Sequence, residues 1–199
     1  SVTILNLISG PRNISTALMY SFAQRTDTHV LDEPFYALYL TKSEAPHPGR
    51  EDVLADQSAD ENTVKKQITL ANGKPVVLIK NMAHHMEVMN EPFLKNAINI
   101  FLIRNPKQII ASYAQVIQSP VMRDIGIEYQ YHLFKELENR GQQAIVVDSG
   151  LLLENPEAVL SQLCKRCAID FQGVMLTWKA GPKPYDGVWA KHWYTNVHS

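Results

Sequence analysis

The sequence predicts an α/β protein in which a mainly parallel central sheet lies between two layers of helices, a three-layer sandwich. Apolar stretches of strand length alternate with segments of helical periodicity along the chain, which is the pattern of βαβ units. At 199 residues with 45% hydrophobic content, the chain suits one compact domain with a sizeable core. We therefore assign residues 1–199 to a single domain.

The individual elements follow from apolar patterning and from turn residues. Strands are predicted at 2–8, 28–31, 75–80, 97–103 and 143–147. Helices are predicted at 13–25, within 51–71, after Pro106, at 123–139 and at 156–167, with a helical turn at 35–40. The Gly-, Pro- and aromatic-rich tail, 178–199, is predicted to be an ordered lid or loop.

The overall composition excludes several classes of partner. The formal net charge is −1, so the chain lacks the basic excess that general nucleic-acid or membrane-surface binding needs. No apolar run approaches the roughly 20 residues of a membrane span. Two cysteines and no signal-peptide pattern lead us to expect a cytoplasmic protein. Cys164 and Cys167 fall on one apolar helical stripe with Leu160 and Leu163, which predicts core thiols rather than a metal or redox site.

The first predicted strand runs into a polar turn that opens the first helix. Free N–H groups and the helix dipole make such a turn a site for anions, and an arginine and two hydroxyls add to it. The alternative is an ordinary turn capped by Asn13. The turn lacks the Gly-Lys-Ser/Thr ending of a Walker A motif, which disfavours a usual ATPase or kinase. The candidate anion-binding residues are Gly10, Pro11, Arg12, Asn13, Ile14, Ser15 and Thr16.

A second anion site is predicted where the fourth strand ends. Arg104 follows the apolar run, and Ser112 lies two turns into the helix that Pro106 begins. A guanidinium fork and a hydroxyl can clamp one phosphate. Taken alone, Arg104 equally suits a structural ion pair.

Acid–base candidates follow two other strands. Glu33 lies in Asp32-Glu33-Pro34 and can accept a proton in a crevice, or can instead cap a helix. Lys80 ends the third predicted strand, and His84 and His85 follow it. The histidine pair suggests a metal, but no further ligand stands at a characteristic spacing, so we expect none. Because ligands bind at the carboxyl edge of parallel sheets, these strand ends predict one shared crevice.

Together, the 9–16 turn and the Arg104-Asn105-Pro106 stretch with Ser112 resemble sulfotransferases that use 3′-phosphoadenosine 5′-phosphosulfate (PAPS). The resemblance covers most of the chain and is closest to a branch found in bacteria and fused to aminotransferase-like sequences. It implies a P-loop NTPase-like sulfotransferase fold. It also implies PAPS as donor, with its product 3′-phosphoadenosine 5′-phosphate (PAP), and no metal.

The resemblance also suggests roles for individual residues. The first turn would bind the 5′-phosphosulfate, and Arg104 with Ser112 the 3′-phosphate. Arg12 stands where cytosolic members have lysine; it can stabilise charge but cannot donate a proton. Lys80 would neutralise the leaving phosphate, and Glu33 or else His84 or His85 would act as the base. Lys183 is a further candidate for the 3′-phosphate, and Trp189 and Trp193 are candidates for the acceptor pocket.

We therefore expect a sulfotransferase that acts on a hydroxyl or amine of a small-molecule acceptor, whose pocket 35–71 and the tail would shape. A kinase with a degenerate P-loop and a non-catalytic nucleotide-binding module are the alternatives. The sequence specifies neither the acceptor nor an oligomeric state.

Overall fold

The computed structural model describes residues 1–10, 14–42, 49–88, 93, 95–104 and 127–187. Their five strands form one parallel sheet in the order β2-β3-β1-β4-β5, which confirms the predicted α/β class. The strands are β1 (Thr3–Ser9), β2 (Thr28–Asp32), β3 (Val76–Met82), β4 (Ile98–Ile103) and β5 (Ala144–Asp148).

The helices in the same part of the chain are numbered in order of sequence. They are α1 (Ser15–Ala23), α2 (Tyr36–Lys42), α3 (Arg50–Asp56), α4 (Glu61–Leu70), α5 (Ile127–Asn139), α6 (Ser149–Glu154) and α7 (Pro156–Arg166). Short 3-10 helices cover Ala71–Gly73, Ala83–Val88 and Gly173–Leu176. The helix predicted after Pro106 lies outside the described residues.

The sheet has a hydrophobic core on each face. On one face, α1 and α7 pack on β1 and β3 through Phe22, Leu163, Leu5 and Leu78. Ile68 and Leu137 bring α4 and α5 against the other face. Because parallel strands are covered on both faces, their sequences are largely apolar, and their few polar side chains, such as Asn6 and Lys80, are buried. The three-layer prediction is therefore confirmed.

Two boundaries near the site differ from the sequence expectation, and one helix was not predicted. The pairing of β3 with β1 continues to the Ser9–Met82 pair, so Lys80 lies inside β3 and not at its end. Helix α1 begins at Ser15, not at residue 13. The unpredicted α6 forms because Asp148 Oδ1 accepts hydrogen bonds from the first-turn N–H groups of Gly150 and Leu151, at 2.8 and 3.2 Å.

The two cysteines are buried in the α1-side core, as predicted. Burial raises the pKa of both thiols, that of Cys167 to about 12. Among the helices that the structure describes, none has the length and apolar character of a membrane span.

Candidate active site

The N-terminus of α1 lies at the carboxyl end of β1, near the centre of the sheet. Its N-cap residue is Ile14, whose side chain makes no capping hydrogen bond, and the alternative of a cap by Asn13 falls outside the described residues. The hydroxyls of Ser9 and Ser15 are buried and have no hydrogen-bond partner among the described residues. The first-turn N–H groups of a helix, which have no partner inside the helix, and hydroxyls without a partner are the donors that an anion needs.

Two further candidate residues of this loop, Gly10 and Thr16, lie in the part of the chain that the structure describes. Gly10 is buried, as is Thr16 in the first turn of α1. The predicted roles of Pro11, Arg12 and Asn13 fall outside the residues that the structure describes.

A buried cluster of charges lies on the neighbouring strands β2 and β3. Lys80 Nζ is 3.2 Å from Asp32 Oδ1 and 3.2 Å from Glu33 Oε2. The Lys80 and Asp32 side chains are each 1% exposed, and that of Glu33 is 5% exposed. Burial alone would lower the pKa of the Lys80 ammonium, but the Asp32 and Glu33 carboxylates outweigh it and raise that pKa above its ordinary value. Lys80 is therefore a cation at neutral pH, facing two acids.

The backbone of Glu33 has an unusual conformation, with φ at +46°, in the left-handed region. A non-glycine residue there costs of order 1–3 kcal/mol, which the surrounding structure must offset. Glu33 N donates to Lys80 O at 2.8 Å, and Glu33 O accepts from Tyr36 N at 3.1 Å. These bonds hold the turn between β2 and α2 that carries the carboxylate to Lys80.

Of the two candidate histidines, His85 lies beside the Glu33 carboxylate. Its Nδ1 is 3.7 Å from Glu33 Oε1, and its side chain is 1% exposed. The His85 ring packs on Tyr36 and Tyr39, with centroids 4.4 and 4.8 Å apart. His84 is more exposed and meets the edge of Tyr39 at 5.1 Å. Glu33 and His85 are thus adjacent acid–base groups.

The start of the predicted tail packs against α1 and reaches the charged cluster. Asp186 Oδ1 accepts from the buried hydroxyl of Tyr20 at 2.6 Å, and its Oδ2 accepts from Lys183 N at 2.8 Å. Burial and the Asp186 hydrogen bond raise the pKa of Tyr20 far above its ordinary range. One residue further, Gly187 N donates to Asp32 Oδ2 at 3.0 Å. Asp32 therefore connects the tail to Lys80.

The ammonium of Lys183 contacts the tail and the Tyr20 ring. Its Nζ donates to the carbonyl oxygens of Lys179 and Gly181 and lies 5.0 Å from the centroid of the Tyr20 ring. Its predicted contact with a 3′-phosphate is not tested by these contacts. Trp189 and Trp193 lie outside the described residues.

Arg104 directly follows β4 and is half-buried, at the same edge of the sheet. Gln130 of α5 holds this edge together, because its Nε2 donates to Ile8 O at 3.0 Å and to Leu102 O at 3.1 Å. The carboxyl ends of β1 and β4 are thereby fixed side by side. Ser112 lies outside the described residues.

A groove of about 600 Å³ lies along β2, the edge strand. Its walls come from the segment between α3 and α4, from α4 and from the tail, and one end reaches Asp32 and Pro34, the neighbours of Glu33. The sequence assigned the acceptor pocket to 35–71 and the tail, and both segments line this groove. Further lining residues include Gln57, Ser58, Val64, Gln67, Pro184 and Tyr185.

The structure thus brings Glu33, Lys80 and His85 together and places Ser9 at the end of β1 and Ser15 in the first turn of α1. Within the described ranges, no group of three or more His, Cys, Asp or Glu side chains forms a candidate metal site. Sequence reasoning missed the roles of Asp32, Gln57 and Gln130. Only Asp32 carried a signal, since it lies next to Glu33 at a strand end.

Comparison with known proteins defines the class. The family model described as a sulfotransferase domain matches residues 3–199, so the chain belongs to the sulfotransferase domain family. This membership supports a sulfotransferase-type function for the domain.

Two curated relatives come from Arabidopsis thaliana. The chain is 36% identical over 197 residues to "Branched-chain-amino-acid aminotransferase-like protein 1" and 34% identical over 197 residues to protein 2 of that name. Each match covers 98% of this chain but only 35% of the relative. The chain therefore spans about a third of the length of these relatives.

Two solved structures share the fold. The sulfotransferase domain from the curacin biosynthetic pathway has a TM-score of 0.59 at 17% identity and covers 94% of this chain and 81% of that domain. The sulfotransferase domain from the Synechococcus PCC 7002 olefin synthase has a TM-score of 0.55 at 16% identity, with 98% and 88% covered.

Proposed function

We propose that this domain transfers a sulfuryl group from PAPS to a hydroxyl or amine of a small-molecule acceptor. The observation that carries the proposal is the α1 N-terminus, where the buried Ser9 and Ser15 hydroxyls have no partner among the described residues. Lys80 lies on β3, which is paired with β1, and Glu33 lies in the turn that follows β2 on the other side of β3. An anion site next to an acid–base group suits group transfer from an anionic donor.

The donor would be bound at two places. The 5′-phosphosulfate would lie on the first-turn N–H groups of α1, with Ser15, Thr16 and Arg12 completing the site. Arg104 and Ser112 would bind the 3′-phosphate beyond β4. Gln130 supports two neighbouring anion sites, because its side chain bonds to Ile8 O and Leu102 O, near the carboxyl ends of β1 and β4.

Glu33 is proposed as the base. Its Oε2 lies 3.2 Å from Lys80 Nζ, in the turn that follows β2. The acceptor hydroxyl would give its proton to Glu33 while its oxygen bonds to sulfur. The bond from sulfur to the bridging oxygen would break, and its electron pair would stay on the 5′-phosphate of PAP. Arg12 and the α1 N-terminus would stabilise that charge.

Two further assignments complete the proposal. His85, beside Glu33, is the histidine best placed to share or replace the base role. Direct contact between Lys80 and the leaving phosphate stays a prediction, since both carboxylates lie within hydrogen-bonding distance of its ammonium. The groove along β2 is the proposed acceptor site, because it opens beside the residues that flank Glu33.

Calorimetric titration tests the donor class. We expect PAP to bind without magnesium and ATP not to displace it, because the site needs a 3′-phosphate partner and no metal. Magnesium-dependent ATP binding without PAP binding would support a kinase instead. Mixing PAPS with a panel of hydroxyl and amine acceptors then tests transfer. Tight PAP binding with no PAP released from PAPS would support a non-catalytic module.

A further inference from the structure

The side chain of Gln57 joins two loops at the edge of the charged cluster. Gln57 directly follows α3 and ends that helix, with its N–H donating to Val53 O at 2.9 Å. Its side chain reaches back to the β2–α2 turn. There Gln57 Nε2 donates to Glu33 O at 2.9 Å, and Gln57 Oε1 accepts from Ala37 N at 3.0 Å.

The two bonds fix the orientation of the Gln57 amide. Glu33 O can only accept and Ala37 N can only donate, so the NH2 group must face Glu33 and the oxygen must face Ala37. Ala37 is in the first turn of α2, where backbone N–H groups have no partner inside the helix. The Gln57 side chain therefore bonds both Glu33 in the turn and the first turn of the helix α2 that follows.

Glu33 is the residue in this turn that needs support. Its φ of +46° is unfavourable for a residue with a Cβ atom, and relaxation to a negative φ would redirect the side chain away from Lys80 and His85. Besides Gln57, the carbonyl of Glu33 accepts from Tyr36 N. Two bonds reach Glu33 from outside the turn: Gln57 Nε2 donates to Glu33 O, and Lys80 O accepts from Glu33 N.

We propose that Gln57 is a positioning residue for Glu33: it holds the strained turn so that the carboxylate stays between Lys80 and His85. The catalytic meaning of this role rests on the proposed function, whereas the structural role does not. Gln57 also lines the β2 groove, so an acceptor bound there would lie against the side chain that orients the base.

Three variants separate this role from general effects. Gln57→Leu removes both side-chain bonds at similar volume. Gln57→Glu keeps an oxygen for Ala37 N but removes the donor to Glu33 O. Gln67→Leu is the matched control, because Gln67 lines the same groove from α4 and is exposed. Crystal structures of the three variants give the position of Glu33 directly, and Gln57→Glu serves if Gln57→Leu does not fold.

In both Gln57 variants we expect Glu33 to leave the left-handed region and its carboxylate to move off Lys80, whereas in Gln67→Leu Glu33 should keep its position. A displacement of about 1 Å can slow catalysis roughly 100-fold. We therefore expect PAP release from saturating PAPS, with the acceptor panel, to fall by roughly 10- to 100-fold, while PAP affinity by calorimetry stays within about twofold.

Two outcomes would overturn the proposal. In one, Glu33 keeps a positive φ and its contact with Lys80 in both Gln57 variants. In the other, Gln67→Leu displaces Glu33 as much as they do. If the unmodified protein releases no PAP from PAPS, the proposed function fails, and the crystal structures still decide whether Gln57 positions Glu33.

Discussion

Lys80 and Asp32 face each other across β3 and β2, with Nζ and Oδ1 3.2 Å apart and both side chains 1% exposed. They are register partners in the parallel ladder, so the sheet itself sets their distance. Asp32 also accepts the N–H of Gly187, and Lys80 also holds Glu33. The same ion pair therefore organises both the candidate base and the start of the tail.

Removing the cation from this cluster is expected to destabilise the protein strongly. Lys80→Met would remove the buried ammonium that faces the Asp32 and Glu33 carboxylates, and removing one partner of a buried ion pair costs roughly 3–5 kcal/mol in the free energy of unfolding. Urea denaturation at pH 7 measures the loss. Lys65→Met is the control, because Lys65 forms a partly exposed pair with Glu61 on α4 and should cost less than about 1 kcal/mol.

The pH dependence of the same variant has a definite sign. The pKa of Lys80 is raised above its ordinary 10.5, so its contribution to stability is fully present below pH 10.5 and is lost only as pH rises through the raised value. The deficit of Lys80→Met should therefore shrink as pH rises through the raised pKa of Lys80, where the unmodified protein loses the same charge. Equal losses for Lys80→Met and Lys65→Met at pH 7 would contradict a buried ionic cluster.

Neutralising the proposed base should affect turnover more than donor binding. Glu33→Gln keeps the shape of the side chain but cannot take the acceptor proton, so release of PAP from PAPS should fall by roughly 100-fold or more. PAP affinity, measured by calorimetry, should change little. An unaffected rate would transfer the base role to His85 or His84, and the corresponding His→Gln variants would then show the loss.

Arg104 is expected to recognise the 3′-phosphate. Arg104→Ala would remove a charge-assisted contact worth roughly 1.5–3 kcal/mol, which is about a 10- to 150-fold loss in PAP affinity. Binding of adenosine 5′-phosphosulfate, which lacks the 3′-phosphate, should change much less. Equal losses for both nucleotides would show that Arg104 acts on the fold or on the 5′ side.

The cysteines should be slow to react in the folded protein. Burial raises the pKa of Cys167 to about 12, which leaves about one thiolate in ten thousand at pH 8, and it raises that of Cys164 as well. The rate of reaction with a chromogenic disulfide should be low in buffer at pH 8 and should increase above pH 9. In denaturing urea, two equivalents of thiol should react. Rapid reaction of both thiols in buffer would contradict core positions.

The strands and the first strand-to-helix turn could be predicted from the sequence because they depend on local patterns. Apolar runs gave all five described strands, since a parallel strand buried on both faces has no polar side to confuse the pattern. The strand-to-helix turn at Ser9–Ser15 and the buried cysteines were likewise local features. The predicted end of β3 was wrong, because a lysine after an apolar run indicates the end of a strand unless buried acidic partners are known to pair with it.

The contacts between distant residues were not readable, because they depend on strand order and register. Lys80 and Asp32 are 48 residues apart, and Gln57 lies 24 residues from Glu33. Nothing in the local sequence marks Gln57, whose role exists only because α3 ends beside the β2–α2 turn.

By itself, the sequence determined the α/β class, and it predicted the turn proposed to bind an anion and the residues proposed to carry the chemistry. Tertiary structure decided that Lys80 faces two carboxylates, that His85 adjoins Glu33 and that Asp32 holds the tail. Burial makes the difference: hydrophobic patterning acts over one or two turns of chain, whereas a buried charge is stable only where the fold brings its partners within a few ångströms.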